Sequence, residues 1–278
     1  MMYSGSTLKQ LRTLDKWFGA HQKIDRLAYR HLRELDRGNK LGGLPSIRSI
    51  LAFEGVNGPD AIKWKTPAQD EPWHYYDPHD AADTKLLDII SEHHARLVAS
   101  IREKNQTRAA FEAAWLAHAV VDGLTPAHHY PYEQELKRLR KGAGIETRKT
   151  PKDKLVMPGD TVREKMRNNW EMWGDKGLLA THIAFEAGVA LLILPMRYKR
   201  LKLPAVWPNV TGRKPYLLFF KSQAKMIAMG SYYEQFYASA WTPRLARKVR
   251  KELIPEIVVS VAYVWHSALL EANKGARS

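Results

Sequence analysis

The segment Trp115-Leu-Ala-His118-Ala-Val-Val-Asp122-Gly-Leu-Thr-Pro126-Ala-His128-His129 reads as the buried end of an α-helix. His118 and Asp122 stand at i and i+4, so both side chains project from one face, with Cβ atoms about 5–6 Å apart. Ala117, Ala119, Val120 and Val121 surround them with small or apolar groups. The helix then ends, and His128 returns at the turn. Burying an ionised carboxylate without compensation is costly. Two readings fit these residues. One is a buried His–Asp hydrogen bond; the other is a pair of metal ligands, since imidazole nitrogen and carboxylate oxygen are both ordinary zinc donors.

Further residues favour the second reading. His182-Ile-Ala-Phe-Glu186 repeats the spacing, and the Ala-Gly-Val-Ala-Leu-Leu-Ile-Leu run after it marks another deeply buried helix. Upstream, Gly58-Pro59-Asp60 and Pro72-Trp73-His74-Tyr75-Tyr76-Asp77-Pro78 each place a ligand-capable residue beside a turn former. His21 sits in a helical segment with Ile24, Leu27, Ala28 and Leu32 on its apolar side. Two buried His-x-x-x-carboxylate pairs with a loop Asp and a loop His point to a polynuclear metal site rather than several unrelated salt bridges.

In this order the set resembles the ligands of the zinc-dependent phospholipase C family, whose superfamily includes the three-zinc, single-strand-specific nucleases. The resemblance runs from about residue 17 to about residue 190 and is densest at His74-Tyr-Tyr-Asp-Pro and Pro126-x-His128. It implies that Asp60, His74, His118 and Asp122 hold a first zinc, and that His128, His182 and Glu186 hold a second. His21, with Asp122 bridging, would belong to a third. In that family the third ion is completed by an N-terminal tryptophan. Trp17 is internal and only four residues before His21, placed to play that part only if the chain is cleaved there. Asp25, one turn after His21, is a candidate substitute, its other reading being an exposed helix carboxylate. The resemblance also implies that Asp60 lies near the attacking water, as ligand and general base. The implied activity is hydrolysis of a phospholipid head-group phosphodiester. A nuclease with the same metals and a non-catalytic metal-bearing binding domain are the alternatives.

The remaining histidines read as ordinary. His93 and His94 fall on a polar helix face and His31 on a charged one, all three expected to be solvated. His79 belongs to a surface loop, and His266 to the apolar C-terminal helix. His129 stands behind His128 as a neighbour of the site.

The 278 residues carry a formal net charge of +15 and a pI near 9.8, which favours anionic partners: phosphodiesters, an anionic membrane surface or nucleic acid. No zinc finger or RNA-binding signature accompanies the charge. There is no cysteine, which excludes thiol catalysis, thiolate-bound zinc and disulfides. The longest apolar run, Ala187 to Leu194, falls short of the roughly 18 residues of a spanning helix. The first ten residues lack the apolar stretch of a secretory signal, so either the protein is cytoplasmic, with association to a membrane surface open to it, or this chain is not the full precursor; no transmembrane segment is expected.

Apolar positions recur at helical spacing over residues 7–37, 47–53, 81–104, 107–122, 216–241 and 251–273, with an irregular region at 55–78. Strand alternation is missing, so the expected fold is all-α. It is read as one domain over residues 1–278, with 133–165 a basic inserted loop and 196–278 a basic C-terminal helical extension. The charged run around Gly142 and Gly144 is either a solvated surface or an anion-gathering lid, whose removal would leave the metals in place.

Overall fold

The computed structural model describes residues 19–36, 42–63 and 65–274. Trp17 and the apolar positions Leu8, Leu11, Leu14 and Phe18 lie outside them. In α1 (Ala20–Leu35) the residues Ala20, Ile24, Leu27, Ala28 and Leu32 turn inward at three- and four-residue steps. Ser46 caps α2 (Ile47–Leu51) by accepting a hydrogen bond from the Ser49 amide. The irregular region that follows is short helical turns joined by loops: Gly55–Asn57, α3 (Pro59–Ile62) and Ala68–Asp70.

Two long helices, α4 (Lys85–Arg102) and α5 (Gln106–Gly123), form a hairpin with extensive mutual contact. Asn105 starts α5 by accepting a hydrogen bond from the Arg108 amide at 3.0 Å. At the far end, Gly123 permits a close approach: a Cβ there would lie 2.5 Å from a Leu86 methyl and 2.6 Å from the Phe220 ring. The helix bearing His118 and Asp122 can therefore end flush against its neighbours.

Next come α6 (Tyr132–Leu139), α7 (Pro151–Leu155), α8 (Val162–Trp173) and α9 (Leu178–Ile193). Residues 133–165, expected to be a loop, thus contain nearly all of α6, the whole of α7 and the start of α8. Thr150 and Asp153 close a capping box on α7. Tyr132, Leu136, Leu139, Met157, Met172 and Leu179 give the segment a small apolar core of its own. Its charge had masked these widely spaced apolar positions.

The C-terminal part is α10 (Pro215–Met229), α11 (Tyr232–Ser239), α12 (Pro243–Lys248), a π-helical turn at Val249–Leu253, and α13 (Ile254–Lys274). The helix expected over 216–241 is broken at Ser231, which takes a left-handed backbone with φ +48°. Nor is α13 an appended extension. It packs on α1, α4 and α5, burying Val258, Val261, Ala262 and Trp265, and the Trp265 indole donates to the Ala113 carbonyl at 2.9 Å. Helix is the only regular structure among the described residues, in line with the all-α expectation.

Two stretches, Val162–Ile193 and Pro243–Lys274, are apolar enough by length and composition to cross a membrane. The second has 83% of its apolar window buried inside the protein, which makes it a core helix. The first is interrupted at Gly174–Gly177, between α8 and α9.

Candidate metal centre

All eight candidate ligands come from different parts of the chain to one place. α5 presents His118 and Asp122, and the turn Pro126–His129 brings His128 back over the helix end. That turn is fixed by the Thr125 hydroxyl donating to the Val121 carbonyl at 2.8 Å, and by His128 Nδ1 donating to the Asp122 carbonyl at 3.0 Å. α9 supplies His182 and Glu186, α1 supplies His21, and the first turn of α3 supplies Asp60. His74 comes from the extended segment after Ala68–Asp70, its Nδ1 donating to the Pro72 carbonyl at 3.2 Å.

These residues form two buried groups whose ligand atoms lie within 4.8 Å of one another: His21, Asp60 and His118 in one, His128, His182 and Glu186 in the other. Asp122 joins them. Its Oδ1 is 3.3 Å from His21 Nε2 and 3.8 Å from His128 Nδ1, and its Oδ2 is 3.3 Å from His118 Nε2. In the second group, His128 Nε2 and His182 Nε2 converge on the same oxygen of Glu186, at 3.0 and 3.1 Å. Ligands about 2.0 Å from a tetrahedral zinc stand about 3.3 Å apart, and these separations match that edge length. His118 Nε2 and Asp122 Oδ2 are also buried with no hydrogen-bond partner despite facing each other. The donor set therefore fits divalent ions in both groups. The grouping refines the sequence reading in one respect: His21 stands with Asp60 and His118, while the His74 ring lies edge-on to His128 at 5.0 Å.

The electrostatics follow from this crowding. Burial works against ionisation of Asp122, but His118 and His128 outweigh it and hold the carboxyl well below its ordinary range. Asp60 is shifted the same way, Lys63 and His118 overcoming its burial. Burial opposes the His118 imidazolium, yet Asp122, Glu54 and Asp60 push its pKa well above the usual value. His74 goes the other way: burial, with Lys63 and His128 nearby, keeps it neutral. Burial likewise lowers His182.

Three residues of this centre were missed or misjudged from sequence. Glu54 is buried, with Oε2 3.4 Å from His118 Nδ1, so it orients the imidazole from behind. Asp25, read as possibly exposed, is buried, and both its oxygens lack hydrogen-bond partners. Burial and the neighbouring Glu54 hold its carboxyl well above the ordinary carboxylate range. Lys63 places Nζ 2.7 Å from Asp60 Oδ1. Burial opposes its charge, but Asp60 and Asp122 more than offset this and raise its pKa.

Two clefts meet at the centre, sharing Asp60's neighbour Lys63 together with His74 and Asp122. The narrower one is walled by Tyr75, Tyr132, Arg148 and Lys154. The wider one is walled by Trp73, Phe111 and Trp115 with Lys85, Arg96 and Arg108 at its edges. The basic segment is part of the first wall. Lys154 donates to the carbonyls of Lys63 and Thr66 and pairs with Glu71, and Arg148 pairs with Glu133. A lid separable from the metal loop is therefore not what this segment forms.

Outside the centre, several histidines differ from expectation. His93 is buried with Nδ1 2.6 Å from Glu112 Oε2. His94 is buried against the Tyr216 ring at 3.7 Å, and burial with Lys214 nearby lowers its pKa to about 4. His31 is buried and bonded to the Tyr198 hydroxyl at 3.2 Å. In each case the polar neighbours in sequence belong to the opposite helix face. His129 bonds the Gly123 carbonyl at 3.0 Å, His79 is exposed, and His266 is buried against Trp207.

Compared with family profiles, curated proteins and solved structures, the chain finds no match.

Proposed function

We propose that the protein is a zinc-dependent phosphodiester hydrolase of phospholipase C type. The observation that carries this reading is the pair of buried His/carboxylate groups bridged by Asp122. His21, Asp60, His118 and Asp122 would hold one ion and His128, His182 and Glu186 another, with His74 presenting a neutral imidazole beside them. Ions held there would acidify water and neutralise charge on a phosphoryl oxygen. The chain's own groups do the rest. Asp60, ionised at neutral pH, would take the proton of an attacking water as its base once Lys63 moves off it. Lys63, at the junction of both clefts, draws a phosphodiester in. Glu54 holds the His118 ring in place through Nδ1.

The second cleft favours one alternative. Stacked Phe111 and Trp115, 4.8 Å apart, beside Trp73, Arg96 and Arg108, suit a single-stranded nucleic acid, because bases stack on aromatic rings while cations follow the backbone.

One experiment separates these readings. Metal content is determined by elemental analysis after zinc reconstitution, alongside hydrolysis assays on phosphatidylcholine and on single-stranded DNA. Phospholipid turnover is the expected result, with His118→Ala and Asp122→Ala losing bound zinc and turnover together. Cleavage of DNA alone would move the assignment to a nuclease. Full zinc content in either variant would overturn the ligand assignment, and zinc without turnover of either substrate would leave a metal-bearing binding domain.

A further inference from the structure

α8 carries an apolar stripe that nothing within the described residues covers. Val162, Met166, Trp170 and Trp173 are 79%, 70%, 67% and 42% exposed, and they stand at i, i+4, i+8 and i+11. At 100° per residue they share a sector about 80° wide, facing away from the buried Asn168 and Met172. Isolated apolar residues on a surface are common, but a contiguous stripe with two tryptophans marks a contact surface.

The charges around the stripe identify what it contacts. Arg163 and Arg167 flank one edge and Lys165 the other, all exposed. The two acids of the helix lie farther round: Glu164 pairs with Lys141 and Glu171 with Arg138, and Arg167 stands 3.9 Å from each of them, which leaves Arg163 and Lys165 as the flanking cations not engaged with these acids. Apolar residues with tryptophan at the centre and cations on both flanks form the pattern of a helix lying in a membrane interface, its rings at head-group depth and its cations on lipid phosphates. Other occupants fit less well. A second copy packed α8 on α8 would bring these basic flanks against each other. Insertion across a bilayer is excluded by length, since twelve residues reach only about 18 Å, and α9 beyond the Gly174–Gly177 break carries buried His182 and Glu186.

We propose that the exposed face of α8 docks the protein onto anionic lipid bilayers. The stripe is joined to the metal cleft: the Trp173 indole donates to the Leu155 carbonyl at 2.7 Å, and Leu155 lines that cleft. Docking through α8 therefore holds the cleft wall next to the lipid surface.

The test uses the full chain in the presence of a chelator, so that the outcome is independent of the metal reading. Co-sedimentation is measured with vesicles of phosphatidylcholine alone and of phosphatidylcholine with 30 mol% phosphatidylglycerol, the latter chosen as about a third anionic lipid. Binding to the mixed vesicles is expected to exceed binding to the neutral ones by at least about tenfold. Met166→Ser/Trp170→Ser should abolish it, with circular dichroism and melting temperature unchanged because both side chains are exposed. Arg163→Gln/Arg167→Gln should weaken it far more than Arg244→Gln/Arg250→Gln, which removes the same charge from another surface. Equal binding by wild type and the Met166/Trp170 variant would overturn the proposal, as would equal loss from the two arginine pairs. A wild-type dimer that the Met166/Trp170 variant converts to monomer would assign the face to self-association instead.

Discussion

Lys63 is the residue whose removal reports most directly on the centre. Its ammonium sits 2.7 Å from Asp60 and faces Asp122, so it already compensates carboxylates that a divalent ion would otherwise neutralise. Lys63→Met should therefore move two properties in opposite directions. The metal-free protein should lose about 3 kcal/mol, because breaking a buried pair leaves an uncompensated charge. Zinc affinity should rise by about tenfold or more, since a competing cation no longer has to leave. Chemical denaturation with chelator and competitive chelator titration measure the two effects, and weaker zinc binding in the variant would show that Lys63 does not occupy the ion's place. Part of the centre was legible at this scale. His118/Asp122 and His182/Glu186 announce themselves through one-turn spacing within apolar helices, and His21/Asp25 has the same spacing. Lys63 and Glu54 carry no comparable signal, because their partners are distant in sequence and their own segments are too short for periodicity.

Among the elements, α7 shows how charge composition can hide structure. Its five residues, Pro151–Leu155, include three charged ones, yet Lys154 is buried and fastens the loop that bears Asp60 through the Lys63 and Thr66 carbonyls and Glu71. The backbone adds a further tie, the Ala68 amide donating to the Arg148 carbonyl at 2.9 Å. Lys154→Met should cost about 3 kcal/mol, near the lower end for a buried pair because Glu71 keeps some exposure. Deleting residues 140–154 should reduce bound zinc, with the first ion group losing more than the second. Normal metal content in the deletion would return this segment to the role of a detachable lid. The long helices were readable from apolar spacing because α4, α5 and α13 each bury a continuous face. The folded state of 133–165 was not, since its few apolar anchors, Leu136, Leu139 and Met157, are separated by turns and diluted by lysine and arginine.

At the scale of the whole molecule, buried histidines set the response to acid. Burial, first among the causes in each case, lowers the pKa of His31, His74, His94, His129, His182 and His266, with His94 and His129 reaching about 4. A depressed histidine stabilises the fold above its unfolded value, near 6.5, and that contribution is lost as pH falls toward the folded value. His118 acts in the opposite sense: its contribution is full below 6.5 and fades as pH rises through its elevated pKa. Asp60 and Asp122 matter only below the ordinary aspartate value near 3.8, where protonation removes their contribution. Six histidines outnumber the four groups of opposite sense, His118 and the carboxyls of Asp25, Glu71 and Glu256 whose pKa burial raises, so the metal-free protein should weaken between pH 6.5 and 4. Urea midpoints in chelator at pH 7.5, 6, 5 and 4 measure this, and a constant midpoint from 7.5 to 5 would refute it.

The place of α13 has a temporal consequence for how the candidate ligands come together. Every candidate ligand is encoded before residue 187, yet α1 and α5, which carry His21, His118 and Asp122, are held together by a helix ending at Lys274. A ribosome has translated the whole donor set some ninety codons before it delivers the strut that brings those helices into register. Until that last helix emerges, α1 and α5 have only their own smaller contact to align them, so His21, His118 and Asp122 reach their final packing after the donor set has been translated.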